Sequence, residues 1–484
     1  MDNALLIACV AGGALLAAAA DPDGPARGGS ARPDADAPLR LTRVTVCDPA
    51  PWPHWNWAAF DQDKLVSLGR YQYALYWSAD KVLVLVRRDL RDNGVETVRL
   101  EKLKLASNDG HRNTVLGVSR ADGRLHLSWD HHCNRLRYAR SRAGLLTDPP
   151  ETLRADDIGA AEAMVGGGAE ARVTYPRFVA DRAGALYFLY RNGGSGSGDT
   201  YLNRYDAEAG TWRRVGRLFS RAGRYAPWRG SSSRNAYLHD VLFDDDGRLH
   251  VSWVYREVAG TWASNHDLHY AVSGDGGRTW RNGAGKRIAD LPAGDPITVD
   301  DPGIVAREVP VFSWMINQGA MALDADGRPH VMTYRLPEPR RPKRLGHGPP
   351  KEIRRDLRYV HWWRDAGGAW RGGGPIDPGP AGVRRPACAI GARGDLYAWV
   401  GTPKGYWCLH ARPADDYARW SVRRLTGPEL AGADAAKHDR RLWREKGVLS
   451  IPAWRVTRDG RKFAICDFEA SRPAKKPPDS PRKE

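Results

Sequence analysis

"ADGRLHLSW" (121–129), "RAGALYFLY" (182–190), "DDGRLHVSW" (245–253), "ADGRPHVMTY" (325–334) and "ARGDLYAWV" (392–400) are five versions of one phrase. In each, a turn built round a glycine leads into a run that alternates or is apolar throughout, the pattern of a half-buried or fully buried β-strand. A strand-like run precedes each turn: "TVLGVS", "PRFVA", "LHDVLF", "AMAL" and "ACAI". A third follows most of them, as in "LRYARS", "TYLNRYD", "DLHYAVS" and "LRYVHWW". The turn glycines Gly123, Gly184, Gly247, Gly327 and Gly394 recur roughly every 60 to 80 residues. Units of that size with three or four short strands are blades of a β-propeller.

"SGDGGRTW" (273–280) has the form of an Asp-box turn with one extra residue. "YQYALYWSADKVLVLVRR" (71–88) adds a blade before the first clear repeat, and the segment after Arg440 closes the ring. Five clear units and two partial ones predict an all-β, single-domain propeller of seven blades over residues 41–470. A two-sheet sandwich is the alternative. The composition agrees: 42% hydrophobic residues are enough for a large core, and 19 Trp and 18 Tyr stand among 52 Gly and 33 Pro. Aromatic residues between frequent turn formers favour short strands over long helices.

The termini read differently. "MDNALLIACVAGGALLAAAADPDG" has an apolar run from Ala4 to Ala20 and small residues at its end, so residues 1–20 read as a signal peptide, although no Lys or Arg precedes the run. "LIAC" resembles a lipoprotein box, but too little apolar sequence precedes it. No other stretch is apolar enough to span a bilayer. The expectation is a secreted or periplasmic monomer with no stable membrane insertion after cleavage. Residues 21–40 read as a flexible leader and 471–484 as a disordered tail. Five cysteines remain after cleavage, with no C-x-x-C spacing. An odd number leaves at least one unpaired, and a Cys388–Cys408 bridge is one option.

The formal charge is +17, from 74 Lys and Arg against 57 Asp and Glu. A basic protein attracts polyanions. No basic helix, zinc spacing or RNA-binding signature accompanies the charge, so no nucleic acid is expected as a partner, and an acidic polysaccharide is the better fit.

The repeats sort the histidines. His126, His250 and His330 each lie three residues after the turn glycine, a structural habit of the blades. His111, His131 and His132 do not follow it. The strands on either side of each turn are antiparallel, so the start of the first and the end of the second lie at one end of the hairpin. Those ends offer His111 with Asn113, Tyr175, His239, Asn317 with Gln318, and Arg384 with Arg385 at the starts. They offer Asp130, His131 and His132, Arg191, Arg256 and Arg335 at the ends. One mouth of the channel is therefore expected to gather His, Tyr and Arg.

That set is poor in carboxylates, whereas ordinary glycoside hydrolysis needs two. It suits β-elimination in a uronic-acid polymer. Arg191 can bind the uronate carboxylate and stabilise the enolate, and His and Tyr can exchange protons with C5 and the leaving oxygen. Elimination needs no cofactor. A zinc site from His111, His132 and His239 has no specific spacing, and the sequence does not place a structural Ca²⁺ or Zn²⁺.

"DGHRNT", "SWDHHCNRLRYARS", "TYPRF", "LYRNGGSGSGDTYLNRYD" and "NQGAMALDADGRPHV" together resemble the BNR-repeat family that includes the propeller ulvan lyases, rhamnose-glucuronate lyases and a rhamnosidase branch. The resemblance covers roughly residues 60–410. It implies a seven-bladed propeller with an axial polysaccharide cleft and catalytic roles for His111, His132, Tyr175 and Arg191. Either Tyr175 or His111 is the C5 base. His132 protonates the leaving oxygen or holds the sugar, and Arg191 neutralises the carboxylate with Asn113. His131, His239, Asn265, His266, Asn317 and Gln318 are expected to line substrate subsites. Cys133 departs from the family pattern, which has Gly there, and so bears on substrate identity. A rhamnosidase-like or sialidase-like hydrolase and a non-catalytic glycan-binding propeller are the alternatives.

Overall fold

Each repeated phrase ends on residues that are buried on both faces, and the reason is the packing of one sheet between two others. Val82–Asp89 is buried along its whole length, and Leu249–Glu257 likewise. The computed structural model describes residues 38–53, 63–166, 170–258, 261–432 and 436–470. The signal peptide expected over 1–20, most of the leader and the tail lie outside the described residues.

Seven antiparallel sheets follow one another along the chain. Blade 1 spans Leu65–Lys104, blade 2 Thr114–Arg140, blade 3 Val173–Phe219, blade 4 Arg234–Asp290, blade 5 Ala320–Gly372, blade 6 Ala387–Arg424 and blade 7 Leu430–Ala470. The expected seven-bladed propeller is therefore present. Its core is a set of layers between neighbouring blades. Trp77 and Leu85 meet Leu127 and Trp129 between blades 1 and 2. Leu189 and Leu202 meet Val251 and Trp253 between blades 3 and 4. Met332 and Tyr359 meet Ala398 and Leu409 between blades 5 and 6.

Ring closure uses both ends of the described chain. Leu39–Cys47 forms the outer strand of blade 7, paired antiparallel with Gly460–Ala470 from Leu39↔Ala470 to Cys47↔Phe463. The ordered strand thus begins two residues inside the stretch read as a flexible leader. Arg88 of blade 1 crosses to Asp467 at 3.0 Å and to Thr45 at 3.0 Å, tying this blade to the first. Nearer the axis, Asp240 of blade 4 takes Arg177 of blade 3 at 3.3 Å, Arg440 at 2.7 Å and Lys437 at 3.6 Å. Arg440 also reaches Asp63 at 3.1 Å.

The repeated histidines share one geometry. His126 Nδ1 lies 2.7 Å from the Tyr138 hydroxyl, His250 Nδ1 lies 2.7 Å from that of Tyr270, and His330 Nδ1 lies 3.1 Å from His361 Nε2. Each partner sits at the same diagonal position on the third strand of the blade. In the Asp box, Ser273 and Thr279 hydroxyls donate to Asp275 at 2.8 and 2.7 Å, and Trp280 is fully buried with its indole N–H on Gly277 O at 3.0 Å. Cys47, Cys133, Cys388, Cys408 and Cys466 are all free thiols. The Cys388–Cys408 option fails because the strand Leu396–Thr402 runs between them.

Candidate active site

Local backbone irregularities aim the site's side chains. The pairing of Val173–Ala180 with Leu186–Gly194 shifts between Thr174 and Arg177, and Tyr175 in that bulge has φ 55°. A bulge re-aims a side chain that regular pleating would bury. Asp130 and Cys133 also have positive φ, 62° and 55°. Asp130 is fully buried and takes Arg112 at 3.0 Å, the Ala106 N–H at 3.2 Å and Arg137. It is an anchor for the 130–134 turn, not an available acid. The strand His132–Asn134 that follows pairs with Val173 and Thr174, bringing blade 2 against blade 3.

Asp109 organises the histidines. Its Oδ1 takes the His111 backbone N–H at 2.9 Å and His111 Nδ1 at 2.7 Å, and its Oδ2 takes His132 Nδ1. The two imidazoles stack with centroids 4.2 Å apart and planes 17° apart. Both Nδ1 atoms face the carboxylate, so each ring turns Nε2 the other way. A carboxylate held this way fixes tautomer and orientation. The histidine side chains are 38% and 36% exposed, open to a ligand. Asp109, His111 and His132 also place one donor atom each within 4.8 Å of one another, a set of metal-binding type that does not include His239.

Tyr175 lies beside this pair, its ring centroid 6.2 Å from that of His111. The Arg191 guanidinium sits over the Tyr175 ring at 4.7 Å. Arg191 does not pair with Asp199; it donates to Gly193 O at 3.1 Å, to the Tyr237 hydroxyl at 3.4 Å and to Cys133 Sγ at 3.9 Å. Arg256 approaches Tyr237 from the other side, 3.2 Å from its hydroxyl, and Ser195 Oγ lies 3.0 Å from the same oxygen.

The electrostatics follow. Burial and the neighbouring His132 lower His111 below the usual imidazole value, against the pull of Asp109. Asp109, despite burial, is held far below the usual carboxylate range by the two histidines. Burial and Tyr237 push the Tyr175 phenol up. Burial opposes ionisation of Tyr237 too, but Arg256 and Arg191 outweigh it and bring this phenol down to about 8. Near neutral pH the cluster therefore holds a neutral His111, a protonated Tyr175 and a cationic floor.

The structure brings His111, His132, Tyr175 and Arg191 together. Asn113 stands beside them, buried, with its Nδ2 on Gly110 O at 3.0 Å and its Oδ1 unpaired. Asn317 extends the cluster, its Oδ1 taking Arg256 at 2.9 Å and Arg385 at 3.1 Å. Gln318, at φ 61°, is buried with an unpaired Oε1. Four residues named from the sequence as subsite residues face elsewhere. His131 is buried inside blade 2 and accepts the Arg137 N–H at 3.1 Å, because adjacent strand-end residues point opposite ways. His239 accepts the Gly319 N–H at 2.8 Å under the first strand of blade 5. Asn265 is fully buried, joining Arg256 at 2.8 Å to Met315 O at 2.6 Å. His266 is fully buried between Glu257 at 3.1 Å and Asp267 at 2.9 Å, and stacks on Tyr225. Asp109 and Tyr237 were not named from the sequence. Asp109 stands two residues before His111, and Tyr237 two before His239.

A model of the BNR repeat-containing family matches residues 71–373, and the chain belongs to that family. Among individual proteins, it is 26% identical over 229 residues to the long isoform of an ulvan lyase from Alteromonas sp. (strain LOR), a match covering 40% of this chain and 22% of that protein. It is 25% identical to the corresponding protein of Pseudoalteromonas sp. (strain PLSV), with the same coverage. The match thus spans about a fifth of the length of these relatives. Solved structures that share the fold over 88% of this chain include the polysaccharide lyase Uly1, at TM-score 0.65 and 17% identity over 92% of its length, and a PL25 ulvan lyase bound to -[GlcA(1-4)Rha3S]-, at 0.58 and 14% over 94%.

Proposed function

We propose that this protein is an exported polysaccharide lyase that cleaves a uronic-acid-containing polymer by β-elimination. The observation that carries the reading is the stacked His111–His132 pair on Asp109, set against Tyr175 with Arg191 over its ring. Arg191 and Asn113 receive the uronate carboxylate, and the guanidinium stabilises the enolate as charge develops on it. His111, neutral and with Nε2 turned from Asp109, removes the C5 proton. Tyr175, which keeps its proton at neutral pH, donates it to the leaving glycosidic oxygen. The C5–H and C4–O bonds break, a C4–C5 double bond forms, the proton taken by His111 passes to solvent, and solvent returns a proton to Tyr175. His132 holds the sugar. Family membership and the resemblance to ulvan lyases support a sulfated, ulvan-like or rhamnose-glucuronate polymer. Cys133, beside Arg191, bears on which one.

The hydrolase alternative lacks its carboxylate pair, since Asp130 is sealed by Arg112 and Arg137 and Asp109 is spent on two histidines. Mass spectrometry of the products separates the two. Elimination gives fragments one water lighter than hydrolysis does. Fragments carrying the added water would overturn the lyase reading.

A further inference from the structure

Three guanidinium groups from blades 3 to 6 are linked through two neutral bridging side chains. Arg191 and Arg256 both donate to the Tyr237 hydroxyl, at 3.4 and 3.2 Å. Arg256 and Arg385 both donate to Asn317 Oδ1, at 2.9 and 3.1 Å. The bridging phenol and amide orient the guanidinia but cancel none of their charge. Among the described residues, none of the three arginines has a carboxylate oxygen within 4.0 Å. Other buried arginines of this chain are matched: Arg234 by Glu257 at 2.8 Å, Arg177 by Asp240 at 3.3 Å and Arg88 by Asp467 at 3.0 Å. Arg191 and Arg256 are buried to 4% and 2% exposure. An uncompensated buried cation is costly, so the arrangement keeps its charge for an anion that arrives with a ligand.

Arg191 serves the reacting sugar. Arg385, bridged to Arg256 through Asn317, is half-buried, with its guanidinium 5.3 Å from the Trp262 ring centroid and its Nε on Asn317 O at 3.3 Å. We propose that Arg385, seated on Trp262, is a second anion subsite. It takes a carboxylate or sulfate ester on a sugar further along the same polymer than the uronate held by Arg191. The proposal rests on the lyase reading above and adds to it a requirement for two anionic substituents at a fixed spacing. A guanidinium presents a planar fork to either anion.

The test is affinity electrophoresis in gels containing a sulfated uronate polymer, its desulfated form or its carboxyl-reduced form. Tyr175→Phe is the parent, so that the polymer stays intact. Arg385→Gln in that parent is expected to weaken retardation on the order of tenfold and to flatten its salt dependence. Arg385→Lys keeps the charge without the fork; an intermediate loss is expected, and it is the variant to read if Arg385→Gln fails a circular-dichroism melt. A defect that vanishes on the desulfated gel assigns a sulfate ester to the subsite. A defect that vanishes on the carboxyl-reduced gel assigns a carboxylate. If both variants bind every polymer as tightly as the parent, the subsite is refuted and the lyase reading stands. If the parent is retarded by none of them, both fall.

Discussion

At the scale of single residues, Asp109 is the pivot. It has one oxygen for each imidazole, so replacing it leaves both rings in place but frees their tautomers. Asp109→Asn is predicted to lower kcat by on the order of 10- to 100-fold, with a smaller change in KM. Steady-state kinetics on the preferred polymer measures this. The pH profile tests the same cluster. In the proposed elimination His111 is the neutral base, and burial beside His132 lowers its pKa. The acid limb of kcat/KM should therefore fall below the usual imidazole value, about 6.5. Tyr237 loses its proton near 8, and its phenolate would cancel charge beside Arg191 and Arg256. Activity should fall as pH rises through that value, and Tyr237→Phe should remove this alkaline limb. An unchanged limb in the variant would assign it to another group.

At the scale of elements, the blade is the unit, and the repeated phrase made it legible. The shared position of His126, His250 and His330 marked them as structural, and their matching bonds to the third strand explain why. The closing strand was not legible. "LRLTRVTVC" carries no turn glycine, and its partner lies over 400 residues away in sequence. The site was legible only in part, for a related reason. Counting loop ends offered His111, His132, Tyr175 and Arg191 among many others, and the family resemblance singled those four out, but Tyr237 lies within its strand and joins the cluster through contacts from blades 3 and 4. Asn265 and His266 begin a third strand, whose start is buried between blades. Trp280→Ala in the Asp box is predicted to cost about 3–5 kcal/mol, read as a lower denaturant midpoint at unchanged slope. A shift under 1 kcal/mol would mean that the turn folds without its indole anchor.

At the scale of the whole molecule, the ring is held by its hydrophobic layers and by the charges near its axis. Asp240 faces Arg177, Lys437 and Arg440. Asp240→Asn would leave buried cations unmatched and is predicted to cost about 3–5 kcal/mol, measured by chemical denaturation. Several histidines are kept neutral by burial: His131 at about 4, His239 and His269 at about 3. Their folded-state values lie below the unfolded value, so the unfolded chain binds more protons as pH falls below about 6.5. Stability should therefore decline from there towards the folded values, by up to about 1.4 kcal/mol per pH unit for each such group. Denaturation at pH 7 and pH 5 checks the sign; equal stability at both would contradict it.

The central claim is that the Asp109-held histidines, Tyr175 and Arg191 perform an elimination. Its most direct test is ultraviolet absorbance at the unsaturated-uronate band, with ulvan and other uronate polymers as substrates, for the native protein and for His111→Ala, Tyr175→Phe and Arg191→Ala. A steady rise with the native protein that each substitution abolishes is the predicted result. Reducing ends appearing without any rise, or a rise that survives all three substitutions, would contradict it.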